Sequence, residues 1–430
     1  MTRKDLPHLC LELLKKYGAQ KAQCVLTKTK KYQVKASAGR LSLLRSAVNA
    51  DIRLLAIKEG QQGQVSINAT GKSEITEAAK QAVQAAAASP RDTAYGISEF
   101  QQEQSFSRGD EKPDLDGMCA RMSEFLRGAK TYPGLRLAEA ALSFTFEEKI
   151  FVNSNRVGLS SSIGVYDLSL DFSSIAGGSS SSVNFASLRL ANLSRPLMAC
   201  GSIELLLKQS VESVRAKPVN RKFLGDIIVS PECLGSFLSF ITEDSLRDSR
   251  IISGTSMYRD KIGSVVAAKG FTLGSMPLLP EIASGYFITP DGYKAENISI
   301  LESGRLKTFI LSRYGAQKTS LNRAANSGGC YVVDPGSEDF ADVVKSVKRG
   351  LLVTRFSGGA PSQAGDFSGL AKNSFYIENG KIRFPVSETM ISGNIPKMFM
   401  NIKCISKERV NLGDAIYPWI HFPGVTISGK

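Results

Sequence analysis

The stretch VVKSVKRGLLVTRFSGGAPSQAGDFSGLAKNSFYIENGKIRFPVSETMISGNIPKMFMNI, residues 343–402, decides how the second half of the chain folds. Its β-branched and aromatic runs are broken every 8 to 12 residues by Gly, Pro or Asn, the spacing of short strands joined by tight turns. The same texture extends upstream to Arg221 through GDIIVS, VVAAKGFTL, AENISILESG and LKTFILS. It predicts a β-rich, barrel- or sandwich-like C-terminal domain over residues 218–430. The boundary falls at Ala216-Lys217-Pro218, just after the helical run IELLLKQSVESV. The residue before a proline is pushed out of the helical region, so the helix stops there.

The first 217 residues read differently, as an α+β region of two helix-plus-sheet sub-units, about 1–95 and 110–217. Leu6, Leu9, Cys10, Leu13, Leu14 and Tyr17 form one apolar stripe, which Gly18 ends. Residues 23–68 alternate as an antiparallel meander, with Gly39, Gly60 and Gly63 at the breaks. A second helix follows, with Ile75, Ala78, Ala79, Ala82, Val83 and Ala86 on one face, and Pro90 closes it. The polar, irregular segment 91–113 reads as a linker. Leu115, Met118, Cys119, Met122, Leu126 and Ala129 mark the next helix, before strands from about Leu135 to Leu193 with a turn at Asn153-Ser154-Asn155. The run GGSSSS at 177–182 lacks the Lys-Ser/Thr of a phosphate-binding loop and reads as a hairpin loop.

Composition narrows the chemistry. Hydrophobic residues at 42% and charged residues at 22% give a globular mixture that rules out wholesale disorder. The chain has only two histidines, His8 and His421, so a zinc site with several imidazoles on one element cannot be built. The seven cysteines are odd in number and never spaced C-x-x-C, which fits buried thiols in a reducing cytoplasm. No signal-peptide core and no apolar run of membrane-spanning length is present, so a cytoplasmic protein without membrane contact is expected. The net charge is +14, and residues 1–40 carry ten basic against two acidic side chains. That cluster suits either an acidic partner such as nucleic acid, or a solvated helix face with an edge strand protected by lysines. With only Tyr17 and Tyr32 among its lysines, it lacks a stacking platform, and the structural reading is preferred. G-x-S-x-G, Ser-x-x-Lys and G-x-x-x-x-G-K-[ST] motifs are all missing. Cys233 reads as a buried thiol and His421 as a packing residue in the aromatic run YPWIHF.

Several blocks of this chain together resemble the TldD/PmbA family, also called modulator of DNA gyrase. They are Gly350-Leu351-Leu352-Val353, Gly365-Asp366-Phe367-Ser368-Gly369, Ile377-Glu378-Asn379-Gly380, Pro385-Val386 and Ile391-Ser392-Gly393-Asn394, preceded by ITPDGYKAENISILESGRLKTFILSRYGAQK. The resemblance implies a peptidase system. TldD-type members carry His-Glu-x-x-x-His on a helix, which with a C-terminal Cys holds zinc. PmbA-type members, also called TldE, lack that set and accompany TldD in a heteromeric metalloprotease acting on peptides and small unfolded proteins.

Placed on this chain, the zinc helix follows the strand at Asp226–Val229, and alignment on Glu232 and Gly235 puts Pro231 and Ser236 where the imidazoles would stand. Pro has no side-chain donor and Ser is a poor zinc ligand. The last stretch, KERVNLGDAIYPWIHFPGVTISGK, holds no thiol, and Cys404 lies too far upstream. Glu232 then has no metal-activated water to deprotonate. The structural reading accounts for the segment: Ser230 as N-cap, Pro231 at the first helical position, Glu232 at the positive helix end, and a buried stripe of Leu234, Phe237, Leu238 and Ile241.

The expectations are therefore a metal-free PmbA/TldE-like subunit without cofactor, with zinc only on a TldD-like partner. Its other partners would be a peptide substrate and, for the isolated chain, a second copy. Catalytic residues are expected to be absent, the degenerate positions being Pro231, Glu232 and Ser236. Gly365, Asp366, Phe367, Ser368 and Gly369 form either a structural turn or a substrate or partner loop. The competing reading is a basic protein modulating DNA gyrase or another nucleic-acid enzyme.

Overall fold

The computed structural model describes residues 5–37 and 39–429. The first helix, α1 (Asp5–Lys16), buries Leu6, Cys10, Leu13 and Leu14 along the stripe its spacing predicts. Three long strands follow: β1 (Lys21–Ser37), β2 (Arg40–Lys58) and β3 (Gln61–Ile67). Helix α2 (Lys72–Ala88) packs on them through small side chains. The fit is close: a Cβ on Gly63 would lie 2.2 Å from the Ala82 carbonyl, so only glycine lets β3 approach α2 there.

The second helix-plus-strand unit comprises β4 (Gln104–Arg108), α3 (Leu115–Ala129), β5 (Leu135–Asn153), β6 (Gly158–Ala176), β7 (Ser179–Ser180), β8 (Asn184–Leu190) and α4 (Ile203–Glu212). Asp114 caps α3 by accepting from the Gly117 N–H at 2.8 Å. The two units share one eight-stranded sheet, in the order β3-β2-β1-β5-β6-β4 with β7 and β8 on β6. The seam is the antiparallel pairing of β1 with β5, from Gln23↔Asn153 to Ser37↔Glu139. β1 is thus an interior strand flanked by β2 and β5, and its lysines do not guard an edge. An unpaired edge lies instead along the first half of β2, where Leu41, Leu43, Leu44 and Val48 are exposed. GGSSSS is the hairpin expected, with Gly177 and Gly178 at positive φ and Ser179 and Ser180 pairing back onto β6.

Segment 91–113 is not a linker. Ser98 is fully buried and its carbonyl accepts from Asn153 Nδ2 at 2.9 Å. β4 within it pairs parallel with β6, and the rest straps the two domains together. Arg108 Nη1 donates to the carbonyls of Pro277 (2.9 Å) and Ile282 (2.8 Å), and Gln101 Nε2 to that of Gly292 (2.7 Å). Asp92 accepts from the Tyr314 hydroxyl at 2.8 Å. Polar composition suggests solvent, but these polar groups are satisfied by distant main chain and, at Asp92, by a distant tyrosine hydroxyl.

The C-terminal domain begins with β9 (Lys217–Pro218), β10 (Lys222–Val229), α5 (Pro231–Thr242) and α6 (Asp248–Ile252). Next come β11 (Leu273–Ser275), β12 (Ile298–Glu302), β13 (Arg305–Leu306), α7 (Arg313–Thr319), β14 (Tyr331–Val333) and α8 (Phe340–Lys345). β15 (Arg349–Val353), β16 (Arg355–Gly358), β17 (Asp366–Lys372), β18 (Phe375–Glu378), β19 (Lys381–Ser387) and β20 (Met390–Asn394) form the densest run of strands. α9 (Ile395–Met400), β21 (Cys404–Asn411) and β22 (Ile416–Ser428) finish the chain. The sheet is fourteen-stranded and curls into half a barrel. β22 is its spine, pairing with β10, β14, β20 and β21. The fold is α+β, with a β-rich C-terminal domain as the strand spacing predicts. Among the described residues no helix is long and apolar enough to cross a membrane.

Candidate functional site

The place where the resemblance locates a zinc helix is the N-terminus of α5. β10 delivers the chain there, and the Ser230 N–H donates to the Val353 carbonyl at 3.0 Å. The Ser230 carbonyl accepts from the N–H groups of Cys233 and Leu234, and Pro231 takes the first helical position. The side chain departs from expectation. Ser230 has the extended backbone of an N-cap, but its hydroxyl makes no capping bond. The residue is 2% exposed, and its Oγ has no partner among the described residues. Capping here is done by the main chain, with the hydroxyl enclosed against the sheet. Glu232 Oε1 is likewise buried and unpartnered.

Pro231 is buried and Ser236 exposed. Neither carries an imidazole or thiolate, and among the described residues no three His, Cys, Asp or Glu side chains converge as a ligand set. The donor set does not fit zinc. Leu234, Phe237, Leu238 and Ile241 are buried as the helical spacing predicts. Cys233 is enclosed too, and burial pushes its thiol up to about 12, which leaves it inert at neutral pH.

The glycine-rich segment 365–369 lies against this helix. The Phe367 ring centroid is 5.3 Å from that of Phe237, edge-on, and 5.6 Å from that of Phe356. Gly365 adopts φ +86°, and a Cβ there would lie 2.4 Å from Pro396 Cδ. A Cβ on Gly369 would lie 2.6 Å from Gly358 Cα. Both glycines are therefore required by packing. Asp366 and Ser368 face solvent. Asn394 Nδ2 at 2.9 Å and Ser362 Oγ at 3.2 Å donate to the Asp366 carboxylate and hold it below the usual carboxylate range. The structure thus brings together two segments that lie far apart in the sequence.

It also assembles a cluster that spacing does not reveal. His421, on β22, is fully buried, with Nε2 2.9 Å from Asp226 Oδ2 on β10 and Nδ1 3.0 Å from Ser346 Oγ at the end of α8. Cys404 Sγ on β21 lies 3.8 Å from the same Nδ1. A carboxylate only accepts, so the imidazole donates through Nε2 and Nδ1 is an acceptor. Burial holds the ring below its ordinary pKa, and the hydrogen bond that Nε2 donates to Asp226 offsets part of that. His421 is more than a packing residue: it bridges three elements through hydrogen bonds. The order Asp–His–Ser has the form of a nucleophile relay. Ser346, however, caps the C-terminal, negative end of α8, where a developing oxyanion would be repelled. The only hint in the sequence is an Asp inside the apolar strand GDIIVS. His8 lies exposed on α1.

Residues 224–429 match the PmbA/TldA metallopeptidase C-terminal domain. Metalloprotease PmbA of Escherichia coli O157:H7 is 30% identical over 189 residues, covering 40% of this chain and 41% of that protein. The PmbA homologue of Haemophilus influenzae is 30% identical over 168 residues, covering 36% and 37%. The aligned part therefore spans about two fifths of these relatives' length. TldE from Thermococcus kodakarensis superposes with a TM-score of 0.83 at 18% identity, over 98% of this chain and 99% of its own. A Bacteroides thetaiotaomicron protein named as a modulator of DNA gyrase gives 0.84 at 21% identity, over 99% of both chains. At those identities the superpositions establish the fold.

Proposed function

We propose, from the premise that this chain belongs to the TldD/PmbA family, that it is the metal-free, PmbA/TldE-like subunit of a two-component metalloprotease. In this reading a TldD-like chain supplies zinc and the hydrolytic step. This chain completes the assembly and helps hold an extended peptide. The observation that supports the proposal is the chemistry at the start of α5, where Pro231 and Ser236, the residues that alignment on Glu232 and Gly235 sets against the two imidazoles, offer no zinc donor. Without a bound cation to lower the pKa of water, Glu232 has no nucleophile to generate. Asp366 and Ser368, exposed beside α5 on a glycine-pinned strand, are assigned to contact with the peptide or the partner. The isolated chain is assigned as a homodimer and its compartment as the cytoplasm.

Measurements on the lone chain and on the mixture test this reading. Metal analysis of the purified chain should give far less than one zinc per chain, and the chain alone should leave unfolded casein intact. Mixed at micromolar concentration with a His-Glu-x-x-x-His relative, it should co-elute and the mixture should cleave peptides in a chelator-sensitive way. Stoichiometric zinc, or chelator-resistant cleavage by the lone chain, would defeat the proposal. Of the basic cluster behind the nucleic-acid alternative, Lys35 is paired with Glu139 at 2.7 Å and lies on an interior strand.

A further inference from the structure

A groove of about 980 Å³ opens where the two domains meet. One wall is α4 together with the turn Ser213–Arg215, and the other is the outer edge of β19. β18 pairs with β19 along Lys381–Pro385, but on the opposite side β9 covers only Val386 and Ser387. Among the described residues no strand occupies the outer edge before Val386. Pro385 fits that position, because a proline inside a strand is tolerated where no neighbour needs its N–H. The register also slips between Tyr376 and Ile377, leaving Arg383 as an extra residue on β19.

The walls are apolar, and the rim carries Lys208, Arg215, Lys217 and Arg383 against one carboxylate, Glu212. Leu205 on α4 and Ile382 on β19 are 42% and 43% exposed, and Phe384 lines the same groove. Arg215, Lys217 and Arg383 line the same opening. Arg383 has Glu378 at 3.7 Å, whereas neither Arg215 nor Lys217 forms an ion pair among the described residues. Such a surface repels a second copy of itself, because Lys381 and Arg383 would meet like charges. It favours an extended segment carrying carboxylates on one face and aliphatic groups on the other.

We propose that this groove binds an extended acidic–apolar peptide segment, which lies along the outer edge of β19 with its carboxylates on Arg215, Lys217 and Arg383. Main-chain hydrogen bonds would give sequence tolerance, and the rim would give the preference for acidic side chains. The inference rests on the peptide-holding role proposed above and locates it away from α5.

The test is fluorescence anisotropy on the full chain. The probes are a labelled peptide alternating glutamate with valine or leucine, and its counterpart with lysine for glutamate. The acidic probe should bind, the lysine probe about tenfold more weakly or not at all. Arg215→Glu combined with Arg383→Glu should weaken the acidic probe by about tenfold and reverse the preference. Both positions are exposed, so the variant should fold, and its urea midpoint should confirm this. Phe384→Ser should weaken both probes, and methylating alternate peptide nitrogens should weaken the acidic one. Equal binding of the two probes, or affinity unchanged in the double variant, overturns the inference. So does a groove closed by a second copy, seen as dimer dissociation in that variant, or expulsion of the probe when a zinc-bearing chain is added. Zinc content and co-elution of the same variants report separately on the proposed subunit role.

Discussion

β10 delivers polar side chains to two buried places in the same domain, and the two differ in what meets them. At Asp226 the carboxylate receives His421, whose other nitrogen faces Ser346 and Cys404. At Ser230, just past the end of the strand, the hydroxyl meets nothing, nor does Glu232 Oε1 two residues on. An unmade hydrogen bond inside a protein costs more than a made one contributes. The first cluster therefore stabilises the fold as a unit, while the second carries a cost that packing elsewhere on α5 offsets. A residue type suited to a role, such as Ser before a helix, does not establish that the side chain performs it.

Four perturbations would break or sharpen this contrast. The largest effect should come from His421→Ala, which opens a cavity and takes the imidazole partner from Asp226. The expected loss is about 3 kcal/mol, read from urea unfolding midpoints. A loss below about 1 kcal/mol would show the cluster to be ornamental.

Acidity should separate the two sites next. The folded pKa of His421 lies below its ordinary value of 6.5, so the unfolded chain binds more protons in the interval between the two. Stability is then fully present above about pH 6.5 and falls as pH drops through that interval. The fall should be smaller in His421→Gln, measured as the difference between the two midpoint-versus-pH curves. Parallel curves would remove the imidazole from the account.

On α5 the expected signs reverse. Gly235→Ala places a Cβ 3.8 Å from Tyr417 Cε2, an ordinary contact inside a helix. It should raise stability by about 0.5–1 kcal/mol, and a loss would mean that the helix is packed more tightly there than the geometry allows for. The smallest effect belongs to Ser230→Ala. Loss of a working N-cap costs about 1 kcal/mol, but deleting an orphaned hydroxyl should cost less than about 0.5 kcal/mol or stabilise slightly. A full cap penalty would restore the hydroxyl to the role its residue type suggests.

The legibility of this chain divides along similar lines. The stripes of α1, α2 and α3 are readable because a helix buries residues at fixed spacing, whatever it packs against. The β-rich domain is readable because turns need Gly, Pro and Asn. The segment 91–113 is misread because hydrophilic side chains look the same whether water or a remote carbonyl satisfies them, and Arg108 shows the second case. The lack of imidazole at Pro231 and Ser236 is legible as residue type, while the neighbouring cluster is not. Asp226, Ser346, Cys404 and His421 share no periodicity, and only the pairing of β10 and β21 with β22 brings three of them together.

What the sequence determined by itself is therefore local and chemical. It specified which segments form helices or strands, and that Pro231 and Ser236 bring no imidazole to the start of α5, since conformational preference and donor chemistry belong to each residue type. What tertiary structure alone decided is which polar groups are satisfied. It gave Asp226 an imidazole, left the Ser230 hydroxyl with nothing, tied the strap across the two domains and kept the edge of β19 open beside a cationic groove. Partnership depends on distance, and distances between residues far apart along a chain are set only when the chain closes on itself.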